Sequence, residues 1–333
     1  MPVTILIVRR MANVKISKAT SPQKNIGTLY AGRKNIFYYL KRDWILYALL
    51  IVPLVFLYLF FYKPMYGLVI AFKDYGITST IAESPWVGFA VFKEVFTMRE
   101  FPLIMRNTLG LSLLDLIFGF PAPIILAILL NEIRAKSFKK ISQTLLYLPH
   151  FLSWVIIASI MYQLFAPQSG LVNILINRLG GETIPFLTNN TYWVFTYVMV
   201  GVWQNAGWGT IIYLAAIAGI NSELYEAAVV DGAGRLRKIW HVTLPGLKST
   251  IIVLLIINLG RIMGSSFERS YNMANPLVMD VANVISIFVY DVGLKALRFN
   301  VATAVGLFQS VVGFVLVILT NYIANKAGEQ GIT

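Results

Sequence analysis

Of the chain's 333 residues, 57% are hydrophobic and only 13% charged, far from the balance of a soluble globule of this size, so an integral membrane protein is expected. Lys and Arg number 28 against 15 Asp and Glu, a basic excess that in a membrane protein points to anionic headgroups rather than nucleic acid. With no cysteine and only His150 and His241, disulfides, thiolate metal sites and a histidine cluster are excluded, and without a G-x-x-x-x-G-K-[ST] loop any ATP must be handled by a partner.

Residues 1–43 hold nine Lys and Arg against Asp43 alone and read as a disordered or surface-lying basic arm on the cytoplasmic side. Apolar windows then recur at Trp44–Tyr62, Thr108–Leu130, Ser142–Phe165, Trp193–Gly219, Ser249–Phe267 and Val301–Ala324, each with the roughly 20 residues a helix needs to cross hydrocarbon. Six spans are predicted, making residues 44–326 one transmembrane domain with a tail at 327–333. Assigning the arm, the loops 131–141 and 220–248 and the tail to one side gives 18 Lys and Arg there against 8 on the other, which puts both termini in the cytoplasm. Pro276–Tyr290 is apolar but too short to cross and reads as an interfacial or re-entrant segment. The loop after the first span, rich in Gly, Pro and aromatics, is either packed on the outer mouth of the bundle, where a binding protein could dock, or a solvated connection.

Between the fourth and fifth windows lies a polar island, NSELYEAAVVDGAGRLRKIWHVTLPGL, at 221–247. Asn221 or Ser222 can cap a helix, Glu223 and Glu226 suit its first turns, and Gly232 supplies a left-handed stop, so a short helix is predicted to end near Asp231. A second short helix, Arg235–His241, is predicted to halt at Leu244-Pro245, giving a helix-turn-helix knob. The order Glu226-Ala227-Ala228, Asp231-Gly232-Ala233, Val242-x-Leu244-Pro245 resembles the EAA loop of permease subunits of ATP-binding-cassette (ABC) importers, with Val242 in place of Ile. The resemblance extends from about Tyr39 to Lys326 and is to the oligo- and polysaccharide branch of carbohydrate-uptake permeases, carried by phrases such as Lys63-Pro64-Met65-Tyr66-Gly67, Tyr147-Leu148-Pro149-His150-Phe151 and Ala302-Thr303-Ala304-Val305-Gly306. Arg269, where the branch usually has Gln, departs from it.

Polar groups inside spans are costly and face the bundle interior or a wet cavity. Arg261 is the sharpest case, and three roles stay open for it: lining a translocation cavity, pairing with an acid such as Asp115 or Glu268, or snorkelling. Asn258, Arg261 and Ser265 fall on one predicted helical face. Trp203, Gln204, Asn205, Trp208 and Tyr213, in the fourth span, combine aromatic and amide groups suited to sugars, or serve helix packing.

The resemblance implies an all-α membrane protein with the type I ABC importer permease (MetI-like) fold, six transmembrane helices and both termini cytoplasmic. It implies a channel-forming subunit in the bacterial cytoplasmic membrane that imports oligosaccharides by alternating access and is not itself an enzyme. The expected partners are a second, different permease, two ATPase subunits that bind ATP and Mg, and an extracellular binding protein; no cofactor is expected in this chain. Coupling falls to Glu226, Ala227, Ala228, Asp231, Gly232, Ala233, Val242, Leu244 and Pro245. The alternative is an ion-coupled secondary sugar transporter, which usually needs intramembrane carboxylates; only Asp115 sits clearly within a span.

Overall fold

The computed structural model describes residues 36–264, 266–326 and 328. Most of the expected basic arm, Ser265, and the expected tail apart from Gly328 lie outside the described residues, and the end of the arm, Ile36–Arg42, is helical. Among the described residues the protein is all-helical, apart from one antiparallel bridge between Lys73 and Trp86.

The chain divides into two units, residues 1–65 and 66–333. In the first, Arg42 grips Asp43 through two hydrogen bonds of 2.9 Å at the start of helix α1, Trp44–Phe72, which continues into the second unit. The α1 side chains up to Tyr62 are exposed and almost all apolar, as lipid contact requires.

The second unit continues with α2 (Ala90–Thr97), α3 (Phe101–Glu132), α4 (Lys136–Phe151), α5 (Trp154–Phe165), α6 (Leu171–Arg178), α7 (Asn190–Ala218) and α8 (Ser222–Val230). After these come α9 (Arg235–Gly260), α10 (Phe267–Met273), α11 (Pro276–Ala282), α12 (Ile285–Lys295) and α13 (Phe299–Lys326). Among the described residues α1, α3, α9 and α13 are long and apolar enough to cross a membrane. The bent pairs α4–α5 and α11–α12 bring the number to six if each counts as one crossing. Helix α7 has 29 residues, about 43 Å, but Gln204, Asn205 and several threonines and tyrosines make it less apolar than those four.

One device recurs. A π-helical turn at Tyr58–Tyr62, Asp115–Gly119 or Ile239–Thr243 is followed two residues later by Pro64, Pro121 or Pro245. A proline removes one backbone donor and its ring collides with the preceding turn; the widened π turn takes up both, so the helix continues. The second short helix predicted to halt at Pro245 is therefore the first part of α9, which runs unbroken to Gly260.

Two predicted spans have different limits. Ser142–Phe165 is broken: Pro149 sits in a tight turn at Leu148–Phe151, Ser153 caps a new helix through the Ile156 amide at 3.4 Å, and α4 and α5 meet at 103°. Ser249–Phe267 ends early, because the amides of Arg261 and Ile262 bond back to Asn258 and Leu259 at 3.0 and 3.2 Å and close a turn. Arg261 thus caps α9, one residue past its last helical residue, instead of lying within a span.

The segment expected to be interfacial or re-entrant, Pro276–Tyr290, falls in the pair α11–α12, bent by 113°. A break in buried backbone needs polar partners, and α3 supplies them. Asn107 Nδ2 donates to the carbonyls of Asp280 and Asn283 at 2.9 and 3.0 Å, and Thr108 Oγ1 accepts from the Ile285 amide at 2.9 Å. The loop before α2 is braced by its own contacts: Phe72 stacks on Trp86 at 5.6 Å and Lys73 Nζ donates to the Ile81 carbonyl at 2.6 Å.

Helix α7 is the central post. Trp193, Tyr197 and Val200 pack with Trp154, Ile157 and Met161 of α5 and with Met273, Val278 and Ile287, while Trp193 Nε1 donates to the Met273 carbonyl at 2.9 Å. Further along the same helix, Tyr213 and Ile217 pack with Ala127 of α3 and Leu247 of α9.

Candidate functional site: a polar cavity and an exposed knob

A cavity of about 650 Å³ opens between the middle of α3, the start of α5, the middle of α7, the end of α9 and α10. Its wall is held by an ion pair. Arg269 on α10, only 5% exposed, bonds the carboxylate of Asp115, the first residue of the α3 π turn. The guanidinium carbon also lies 3.9 Å from the centre of the Tyr197 ring, and Tyr197 Oη shares a 2.8 Å hydrogen bond with Ser270. Gly201 makes this possible, since a Cβ there would collide with the Arg269 guanidinium.

The buried cation is therefore Arg269, and the pairing left open between Arg261 and Asp115 or Glu268 is made to Asp115 by Arg269. The predicted fifth span ends at Phe267, which puts Arg269 in a loop. Asp115, a carboxylate inside a predicted span, is the signal that a cation must be near.

Asn258 and Arg261 line the cavity, and Asn258 Nδ2 donates to the Leu254 carbonyl at 2.7 Å. Gln204, Asn205, Trp208 and Tyr213 line it from α7; Gln204 Nε2 donates to the Leu152 carbonyl at 3.3 Å, and Asn205 Nδ2 to Gln204 Oε1 at 3.0 Å. One face of Trp208 is covered by the parallel ring of His150 at 4.7 Å, a contact with no sequence signal. Trp203 is not among the lining residues and is 46% exposed, while Ser265 lies outside the described residues. Such a wall offers an aromatic face, amides and one guanidinium unpaired with any described acid: groups for binding and orienting a polar solute.

The knob follows α7. Asn221 Oδ1 accepts from the Glu223 amide at 3.0 Å and starts α8. Gly232, at φ +72°, ends it: the Ala233 amide reaches back to the Ala228 carbonyl at 2.8 Å and the Gly232 amide to Val229 at 3.0 Å, the paired bonds of a Schellman stop. Tyr225 Oη and Thr243 Oγ1 share a 3.0 Å hydrogen bond that ties α8 to α9. Glu226, Ala227, Asp231, Gly232 and Pro245 are exposed and Ala228, Ala233, Val242 and Leu244 half-buried. Around them Val230, 87% exposed, Leu236 and Trp240 present apolar side chains beside Arg235 and Arg237. An exposed patch of this kind, apolar and charged together, has the composition of a protein-docking surface.

Residues 119–328, which hold most of the cavity wall and the whole knob, match the family described as the binding-protein-dependent transport system inner membrane component. The chain belongs to this family. It is similar to protein LplB of Bacillus subtilis (strain 168), at 46% identity over 315 residues that cover 94% of this chain and 99% of that protein. It is also 46% identical, over 300 residues, to the polygalacturonan/rhamnogalacturonan transport system permease protein YteP of the same organism, covering 90% of this chain and 94% of that one. Among solved structures it resembles a chain of a bacterial alginate ABC transporter in complex with alginate pentasaccharide-bound periplasmic protein, with a TM-score of 0.82 and 39% identity over 90% of this chain and 100% of that chain. The fold is the MetI-like fold of ABC importer permeases, and the chain is a multi-pass membrane transport subunit.

Proposed function

We propose that the chain is the channel-forming permease subunit of an ABC importer for oligosaccharides in the bacterial cytoplasmic membrane. The observation that carries this reading is the unbroken course of α9. One helix of 26 residues, about 39 Å, starts in the knob at Arg235 and ends at the cavity wall beside Arg261. A push on α8 reaches α9 through Tyr225 and Thr243 and travels along a rigid element to the groups that would hold cargo. Type I importers alternate access by such rocking, and here the knob would receive it from ATPase subunits.

On this reading both termini and the knob face the cytoplasm, ATP and Mg stay with two ATPase subunits, and a second, different permease completes the pathway. An extracellular binding protein would deliver cargo on the opposite side. Oligosaccharide as cargo is supported by the names of the relatives, one a polygalacturonan/rhamnogalacturonan permease and another an alginate transporter, and by Trp208 and the amides in the cavity. An ion-coupled carrier has less behind it, because the carboxylate it would use, Asp115, is already bonded to Arg269. The test is to purify the chain with its ATPases and measure hydrolysis in liposomes. Stimulation by saccharide-loaded binding protein is expected; a chain that purifies alone and moves saccharide down an ion gradient would overturn the reading.

A further inference from the structure

We infer that the cavity selects oligosaccharides bearing a monoanionic substituent, a carboxylate or a sulfate ester, and that Arg261 is the residue that reads it. This rests on the cavity being the cargo pathway.

The charged groups in the cavity wall are Asp115, Arg269 and Arg261. The first two neutralise each other, and Arg269 is enclosed by Tyr197, Trp154 and Gly201, so its charge is turned away from the open space. Arg261 is different: it is exposed, and none of the acids among the described residues pairs with it. It stands at the C-terminal end of α9, where the helix dipole supplies a partial negative charge of about half a unit. That leaves an excess of positive charge.

The level of this charge matters. Arg261 shares the cavity with the middle of α3, at Asp115–Pro123, and the middle of α7, at Gly201–Tyr213. An ionised side chain at mid-membrane depth is costly unless it meets water or an anion and marks a substrate path by default. Its planar fork of donors fits the two oxygens of a carboxylate or sulfate. The neutral groups complete the site: Trp208, backed by His150, offers its ring to a pyranose face, and Asn258, whose Nδ2 is engaged with Leu254, keeps its carbonyl oxygen for a hydroxyl.

The experiment uses the assembled, detergent-solubilised importer without its binding protein, so that charge preference comes from the membrane part. Binding of trigalacturonate, a sulfated trisaccharide and neutral galactotriose is measured by calorimetry for the natural chain, Arg261→Gln and Arg261→Lys. At least one of the anionic trisaccharides is expected to bind tenfold or more tightly than galactotriose, with the preference falling as salt rises. Which of the two is favoured separates carboxylate from sulfate. Arg261→Gln is expected to bring the preference within about twofold and Arg261→Lys to keep much of it.

Equal binding of all three sugars, or a preference that survives Arg261→Gln, would overturn the assignment while leaving a saccharide pathway intact. Loss of assembly in Arg261→Gln while Arg261→Lys keeps no preference would overturn it too, placing Arg261 against an acid of the second permease. Binding of none of the sugars to the natural assembly would overturn the cavity as the pathway itself.

Discussion

The guanidinium of Arg269 occupies the place where Gly201 has no side chain, so a buried cation on α10 is seated directly against the backbone of α7. Replacing Gly201 with alanine puts a methyl group into that seat. Overpacking of this kind costs about 1–3 kcal/mol, and here it also pushes Arg269 away from Asp115 and Tyr197. Thermal unfolding of the purified Gly201→Ala protein in detergent should show a clear drop in midpoint, whereas Gly67→Ala, which meets open space, should show little.

Asp115 and Arg269 should behave as a unit. Removing one partner of a buried pair leaves an uncompensated charge; with the Asp115 side chain 33% exposed, Asp115→Ala should cost roughly 3 kcal/mol, the low end for such pairs. The double variant Asp115→Asn, Arg269→Gln removes both charges and should be more stable than the single variant Asp115→Asn, in which Arg269 keeps its charge without a counter-ion. A double-mutant cycle on unfolding midpoints checks this; strict additivity would mean the pair contributes nothing.

Asn107 holds the break between α11 and α12 by donating to two carbonyls. Leucine at this position keeps much of the volume but leaves the Asn283 carbonyl unsatisfied, a cost of about 1–3 kcal/mol, while the Asp280 carbonyl keeps the Arg106 guanidinium at 2.9 Å. Asn107→Leu is expected to lower the yield of folded protein and to speed hydrogen exchange at residues 283–285 far more than at α7.

The knob is tested by Gly232. Its φ of +72° is one a β-branched residue adopts only at a cost of roughly 1–2 kcal/mol, and a Cβ there meets no neighbour, so the effect is on backbone rather than packing. Gly232→Val should insert in the membrane normally yet lose co-purifying ATPase, with Glu226→Lys giving a milder loss and Gly232→Asn, which tolerates this region, close to none.

What is legible in the sequence is local. Asn221, Glu223 and Gly232 announce α8 by capping chemistry that acts within a few residues, and the helix starts and stops where they imply. Arg269 is illegible for the opposite reason: its partner is 154 residues away, and ending the fifth span at Phe267 moves it into a loop. The continuity of α9 is hidden as well, because Pro245 reads as a stop unless the π turn before it is known. Asn107 gives no sign of its role, since the backbone it satisfies exists only once α11 and α12 have folded against α3.

The most direct measurement is saccharide accumulation in liposomes carrying the full importer in known orientation, with ATP supplied on one side at a time. Accumulation is predicted only when ATP is on the face that carries the α8 knob and binding protein is on the other, and it should vanish in Gly232→Val assemblies. Uptake that proceeds without ATP under a proton or sodium gradient, or that ATP drives from the face opposite the knob, would contradict it.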